Sequence, residues 1–210
     1  MKLYMFQVAP NPTKVRLYIA EKMAAQAPLN IEQISVNLPK GEHRQAEHLA
    51  RNANAKLPVL ELDDGSFLTE SLAIIEYLEE CYPQPPMIGS TARERASVRE
   101  VERIIETRIL NPIARLIHAT RSPTGHPPSE DIAERSRKEL PAGLQQINQW
   151  LSDGRSFVCG QRVTIADCSL QAALQFARFS KLDLISEYQD LLRWDQSYRK
   201  RSAAQSVLVR

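Results

Sequence analysis

Glu70 and Ser71 stand where a turn-rich apolar stretch gives way to helical spacing, and together they could hold the end of an amino acid. A helix starting at Ser71 points unpaired backbone N–H groups outward, which attract an anion such as a carboxylate. The Ser71 hydroxyl adds a donor there, and the Glu70 carboxylate can hold an ammonium group. The same serine could instead serve only as the helix cap, a common role for that residue. These two residues alone leave both readings open.

The elements that position the pair are readable around them. Lys56-Leu57-Pro58-Val59-Leu60-Glu61-Leu62 reads as a strand opened by a proline, whose missing N–H is tolerated at that place. Asp64-Gly65 is a strong hairpin signal, because glycine accepts positive φ without a steric penalty. Leu72, Ile75 and Leu78 then mark the apolar side of a helix. Upstream, residues 2–8 read as a strand broken by Ala9-Pro10-Asn11-Pro12. A helix is predicted from about Pro12, with Asn11 as its N-cap and Val15, Ile19 and Met23 on one face. Residues 31–36 read as a second strand, Lys40-Gly41-Glu42-His43 as a loop, and 44–51 as a short helix.

Prolines at 83, 85 and 86 predict a stiff extended linker, and the chain changes character after it. Helical spacing runs from Ala92 to about Ala119, with a kink expected at Pro112. Residues 122–128 read as a loop, and Ser129 as the cap of a helix reaching Leu151. Thr164 and Asp167 form a capping-box variant ahead of an apolar helix, which gives Asp167 a folding role. Further helices follow through Trp194 and Tyr198. The expected division is 1–82, a linker at 83–91, and 92–210.

The chain has 210 residues, 43% of them hydrophobic and 25% charged, with a net charge of +2. That balance fits a globular protein and gives no electrostatic case for a nucleic-acid or membrane partner. Arg199-Lys200-Arg201, the densest basic run, reads as the solvated end of a helix. Cys81, Cys159 and Cys168 have neither disulfide-like nor zinc-like spacing, and the four histidines match no metal motif. No apolar run approaches membrane-spanning length. These features lead to the expectation of a cytoplasmic, reduced, metal-free protein.

Leu-Pro-Val, a hairpin, and Glu-Ser opening a helix resemble the glutathione-binding half of cytosolic glutathione transferases. The resemblance extends over nearly the whole chain and includes the Thr164–Asp167 capping box. It implies an α/β thioredoxin-like domain followed by an all-α domain, and a homodimer. It implies a cis bond before Pro58, with the backbone of Leu57 pairing with the cysteinyl part of glutathione and Glu70 and Ser71 holding its γ-glutamyl end. Lys40-Gly41-Glu42-His43 resembles the Lys-Gly-Gln-His of theta-class enzymes, which assigns His43, assisted by Lys56, to the glycyl carboxylate. The second substrate implied is a small hydrophobic electrophile or a disulfide.

Such an enzyme must keep the glutathione sulfur as thiolate. Lowering a thiol pKa from about 8.5 by about two units takes about 2.7 kcal/mol of preferential stabilisation. One hydrogen bond to a charged group contributes about 1.5–3 kcal/mol, and a helix N-terminus about 0.3–1. The family draws that donor from Tyr, Ser or Cys, and this chain departs from all three. Met5 stands at the tyrosine position and Ala9 at the serine position. Ala9-Pro10-Asn11-Pro12 is similar to the Thr-Pro-Asn stretch of Nu-class and yeast prion-like relatives, which makes the Asn11 amide the expected thiolate donor beside its capping role. Tyr4 and the first-turn N–H groups are the fallbacks. Loss of the usual donors also leaves open a non-catalytic glutathione-binding or regulatory protein on this scaffold. For the acceptor side, Phe6, Val8, Arg108, Pro112, Arg115 and His118 are the candidates.

Overall fold

The computed structural model describes residues 1–209. Its first part is a four-stranded sheet in the order β2-β1-β3-β4, made of β1 (Lys2–Met5), β2 (Glu32–Ser35), β3 (Val59–Glu61) and β4 (Phe67–Thr69). β1 runs parallel to β2 and antiparallel to β3, and β3 and β4 form the expected hairpin. A three-residue loop closes it, with Leu62 N–H bonded to Ser66 O at 2.9 Å and Gly65 at φ +83°. Three helices belong to this sheet: α1 (Pro10–Ala24), α2 (Ala46–Arg51) and α3 (Ser71–Cys81). The strand alternation separates two faces. Leu3 and Leu60 join the main core with Val15 and Ile74, whereas Tyr4, Val36, Leu57 and Val59 form a smaller cluster on the other side.

The second part is helical throughout. It comprises α4 (Ala92–Ile105), a π-helical stretch (Glu106–Leu110), α5 (Asn111–Arg121), α6 (Glu130–Leu151), α7 (Ile165–Phe179), α8 (Gln189–Tyr198) and α9 (Ser202–Val207). The π-helical turn lies just where Pro112 was expected to disturb the helix. Pro112 has no N–H to give the carbonyl of Arg108, and wider winding accommodates the ring. α6 comes close at this place: a Cβ on Gly143 would lie 2.8 Å from the Arg108 carbonyl oxygen. Only glycine permits that approach. Ser129 occupies the N-cap of α6, but its side chain makes no capping bond, and Pro141 sits inside the helix without ending it.

The capping box at α7 forms as expected and reaches further. Asp167 is fully buried and accepts from Val158 N, Thr164 N and Thr164 Oγ1 at 2.8–3.0 Å. Burial pushes its carboxyl up to about 6, and the donors pull the other way. Its role is to tie the loop before α7 to the helix start.

α1 departs most from expectation. It begins at Pro10 rather than Pro12, its N-cap is Ala9, and Asn11 lies inside the first turn and caps nothing. It is also not amphipathic. α3 packs on one side and α7 and α9 on another, so Pro12–Ile19 are all buried, whereas Met23, expected on the apolar face, is 54% exposed. Lys14, Arg16, Glu21 and Lys22 are buried with the rest, and each has partners. Lys14 Nζ lies 3.0 Å from Glu102 of α4 and 3.1 Å from Glu106 of the π-helical turn. Lys22 contacts Glu79 of α3 at 2.6 Å and donates to the carbonyls of Tyr82 and Pro85. The linker is therefore fastened to α1 rather than simply stiff, and its Gln84–Pro85 bond is cis.

Glu21 receives Arg201 through two bonds of 2.8 and 2.6 Å. This corrects the reading of residues 199–201 as a solvated basic end. Arg201 is held against α1, and Arg199 pairs with buried Asp195.

Replacing Lys14 with Met would leave the Glu102 carboxylate buried without its cation. Breaking a buried pair from one side costs about 3–5 kcal/mol. Denaturant unfolding should show a loss of that size for Lys14→Met and partial recovery on adding Glu102→Leu. A loss below about 1 kcal/mol in the single variant would show that the pair carries no such weight.

Candidate active site

The sheet register brings the sequence-predicted residues to one end of the first domain. Tyr4 pairs with Val59, and Val59 with Thr69, so these three form a row across the sheet. The next positions along are Met5, Pro58 and Glu70. Beyond that row β1 leads into α1 with Asn11, and β4 leads into α3 with Ser71. β2 ends at the same level, since Ser35 pairs with Met5, and its continuation carries His43. Two helix N-termini and a proline loop therefore share one end of the sheet.

The proline loop is tightly anchored. The Leu57–Pro58 bond is cis, as the resemblance implied. The ladder between β1 and β3 stops at Val59, which leaves the peptide groups of Leu57 outside it. Just before them, the carbonyl of Lys56 accepts from Asn52 Nδ2 at 3.0 Å and is contacted by His48 Nε2 at 3.1 Å. Asn52 and His48 are positioning residues that sequence reasoning missed. The side chain of Lys56 is exposed.

At the second helix start Glu70 is the N-cap, with φ +64° and ψ +118° and no capping bond from its side chain. This backbone is unfavourable for any residue but glycine, and such strain costs about 1–3 kcal/mol. Ser71 is one position further in, so it is not the cap. It is 7% exposed, and its hydroxyl has no hydrogen-bond partner among the described residues. The exposed Glu70 carboxylate and this hydroxyl flank the first N–H groups of α3.

At the first helix start the loop is shaped by two side chains. Thr13 Oγ1 donates to Ala9 O at 2.8 Å, and Arg16 Nη1 donates to Gln7 O at 3.2 Å. Asn11 is half-buried, and its amide makes no hydrogen bond to another described residue. Tyr4, a fallback donor, is ruled out by geometry: its hydroxyl donates to Glu61 Oε2 at 2.6 Å, inside the smaller cluster. Burial and that bond hold its pKa above the usual tyrosine range.

His43 lies in a 3₁₀ turn (Glu42–Arg44) rather than an open loop. It is buried, and its Nδ1 has no partner. Burial, followed by the charges of Arg44, His48 and His126, lowers its pKa.

Three acceptor-side candidates have partners in α6 or in the loop before it. Arg108 Nη1 donates to Gln146, Arg115 pairs with Glu139, and His118 Nδ1 contacts Ser122 at 3.1 Å. Glu106, which meets Lys14 of α1, had no signal in the sequence: one more charged residue in a charged helix.

Two family models match this chain: the glutathione S-transferase N-terminal domain over residues 3–86 and the C-terminal domain over residues 112–201. It is 29% identical to glutathione S-transferase 2 of Saccharomyces cerevisiae, over 99% of this chain and 89% of that protein. It is 34% identical to a maleylacetoacetate isomerase of Pseudomonas aeruginosa, over 84% of this chain and 81% of that protein. The crystal structure of Gtt2 from Saccharomyces cerevisiae superposes with a TM-score of 0.89 at 29% identity, over 99% of this chain and 100% of that one. The α/β fold with its cis-proline loop, the helical second domain and these matches agree: the chain belongs to the glutathione S-transferase family.

Proposed function

We propose that this protein binds glutathione at the sheet end and activates its thiol for attack on a small electrophile or disulfide. The observation that carries the reading is the placement of two helix N-termini without side-chain caps and the Leu57 backbone at one end of the sheet. In this reading the γ-glutamyl carboxylate takes Ser71 and the N–H groups of α3, and its ammonium takes Glu70. The cysteinyl backbone pairs with Leu57, and the glycyl carboxylate lies by His43 and Lys56. The sulfur then falls at the start of α1. There the Asn11 amide donates to the thiolate beside first-turn N–H groups. A family that includes proteins named as transferases and as an isomerase supports a glutathione-dependent enzyme.

A side-by-side assay of an aryl halide and a small disulfide with glutathione tests the activity. Turnover of at least one is expected, and turnover of neither would overturn the reading. Asn11→Ala should raise the bound thiol pKa by about one to two units, the worth of one charge-assisted hydrogen bond. Glutathione affinity should hardly change. Thiolate absorbance against pH in the complex reads this directly, and an unshifted pKa would remove Asn11 from the mechanism.

Glu70→Gly separates fold from function. Glycine relieves the backbone strain at φ +64°, so stability should rise by about 1 kcal/mol after the entropic cost of glycine. Glutathione affinity should fall at the same time, because the carboxylate is gone. Lower stability with unchanged affinity would mean that Glu70 is a structural residue.

A further inference from the structure

A cavity of about 740 Å³ opens between α5, α6 and the loop that joins them. Its size is within the range of small-molecule sites, about 300–1,000 Å³. Pro127, Pro128 and Ile132 supply an apolar wall, and Ile132 is among the few large hydrophobic side chains left exposed. The polar lining is basic: Arg115, Arg135, His118 and His126. No carboxylate is among the described residues that line it.

The charges do not cancel. Arg115 and Arg135 pair with one and the same carboxylate, Glu139, so one positive charge is in excess at the rim. The histidines are oriented by their loop. Ser122 Oγ lies 3.1 Å from His118 Nδ1, and Thr124 Oγ1 lies 2.7 Å from His126 Nδ1. Ser122 Oγ also accepts from Thr124 N. Each hydroxyl has one proton to give. Ser122 donating to His118 and Thr124 donating to His126 satisfies both ring acceptors. With the hydroxyls assigned as donors in this way, each neutral ring carries its proton on Nε2 and keeps one N–H donor.

We propose that this cavity binds a small organic anion with an apolar body. The anionic group meets the Arg135 guanidinium and the two imidazole N–H donors, and the carbon skeleton lies on Pro127, Pro128 and Ile132. The site includes Arg115 and His118, two of the acceptor-side candidates. Its use as the acceptor side rests on the glutathione reading, but its existence as a site does not.

Calorimetry without glutathione tests the site, using 4-phenylbutyrate against 4-phenyl-1-butanol as probes. The acid should bind at least about tenfold more tightly, the worth of one charge-assisted hydrogen bond. Arg135→Ala leaves only the neutral Arg115–Glu139 pair and should abolish the preference. Glu139→Gln releases both guanidiniums and should increase it. These side chains are at least partly exposed, so neither change threatens the fold. Equal binding of acid and alcohol, or an unchanged preference in Arg135→Ala, would overturn the proposal. Glutathione titrated into the same proteins reads the other site independently: its failure to bind wild type would sink the glutathione reading and leave this result standing.

Discussion

A helix with four charged side chains is buried at the centre of this protein, and the rest of the fold is arranged to satisfy it. A buried charge without a partner is far more costly than any single apolar contact is favourable. Lys14, Arg16, Glu21 and Lys22 therefore dictate what must surround α1. Lys14 requires the carboxylates of α4 and the π-helical turn. Glu21 requires Arg201, which brings the end of the chain back across the first domain. Lys22 requires Glu79 and the linker carbonyls. Glu79 in turn accepts from the backbone of Met87 and Ile88, so the chain leaving the first domain is fixed from both sides.

The candidate site inherits its rigidity from this arrangement. α1 cannot slide or tilt without separating its charges, so its first turn is held in place against the sheet end. The loop before it is fastened by Thr13 and Arg16 from within the same helix. The proline loop and α3 are placed by the β1–β3–β4 register, and Asn52 fixes the carbonyl just before Leu57. Three polar groups without partners among the described residues lie toward this end: the Ser71 hydroxyl, the Asn11 amide and His43 Nδ1. Ser136 and Gln171 of the helical domain carry unpartnered buried atoms as well, so it is the convergence of two helix starts and the proline loop that singles out this end.

Local signals proved legible where they are physically local. Asp64-Gly65, the start of α3 at Ser71 and the Thr164–Asp167 box depend on a few consecutive residues and appear as expected. The cis bond before Pro58 came through family resemblance, because nothing in a Leu-Pro pair distinguishes cis from trans. α1 was misread for a clear reason. Lysines at helical spacing normally mark a solvated face, and the carboxylates that meet Lys14 and Lys22 are 57 to 92 residues away. His43 was likewise expected in an open loop, and its burial depends on packing that the sequence does not display. Arg115 and His118 line the cavity between α5 and α6, but their partners Glu139 and Ser122 gave no signal of it in the sequence.

The central claim is that the sheet end recognises glutathione by its γ-glutamyl group, at Glu70, Ser71 and the start of α3. Calorimetric titration of glutathione beside cysteinylglycine, which has the same thiol and glycyl end, tests it most directly. Two charge-assisted contacts of about 1.5 kcal/mol each predict that removing the γ-glutamyl group weakens binding about a hundredfold or more. Equal affinity for the two thiols would contradict the account, because the strained turn at Glu70 and the open start of α3 would then have no ligand to explain them.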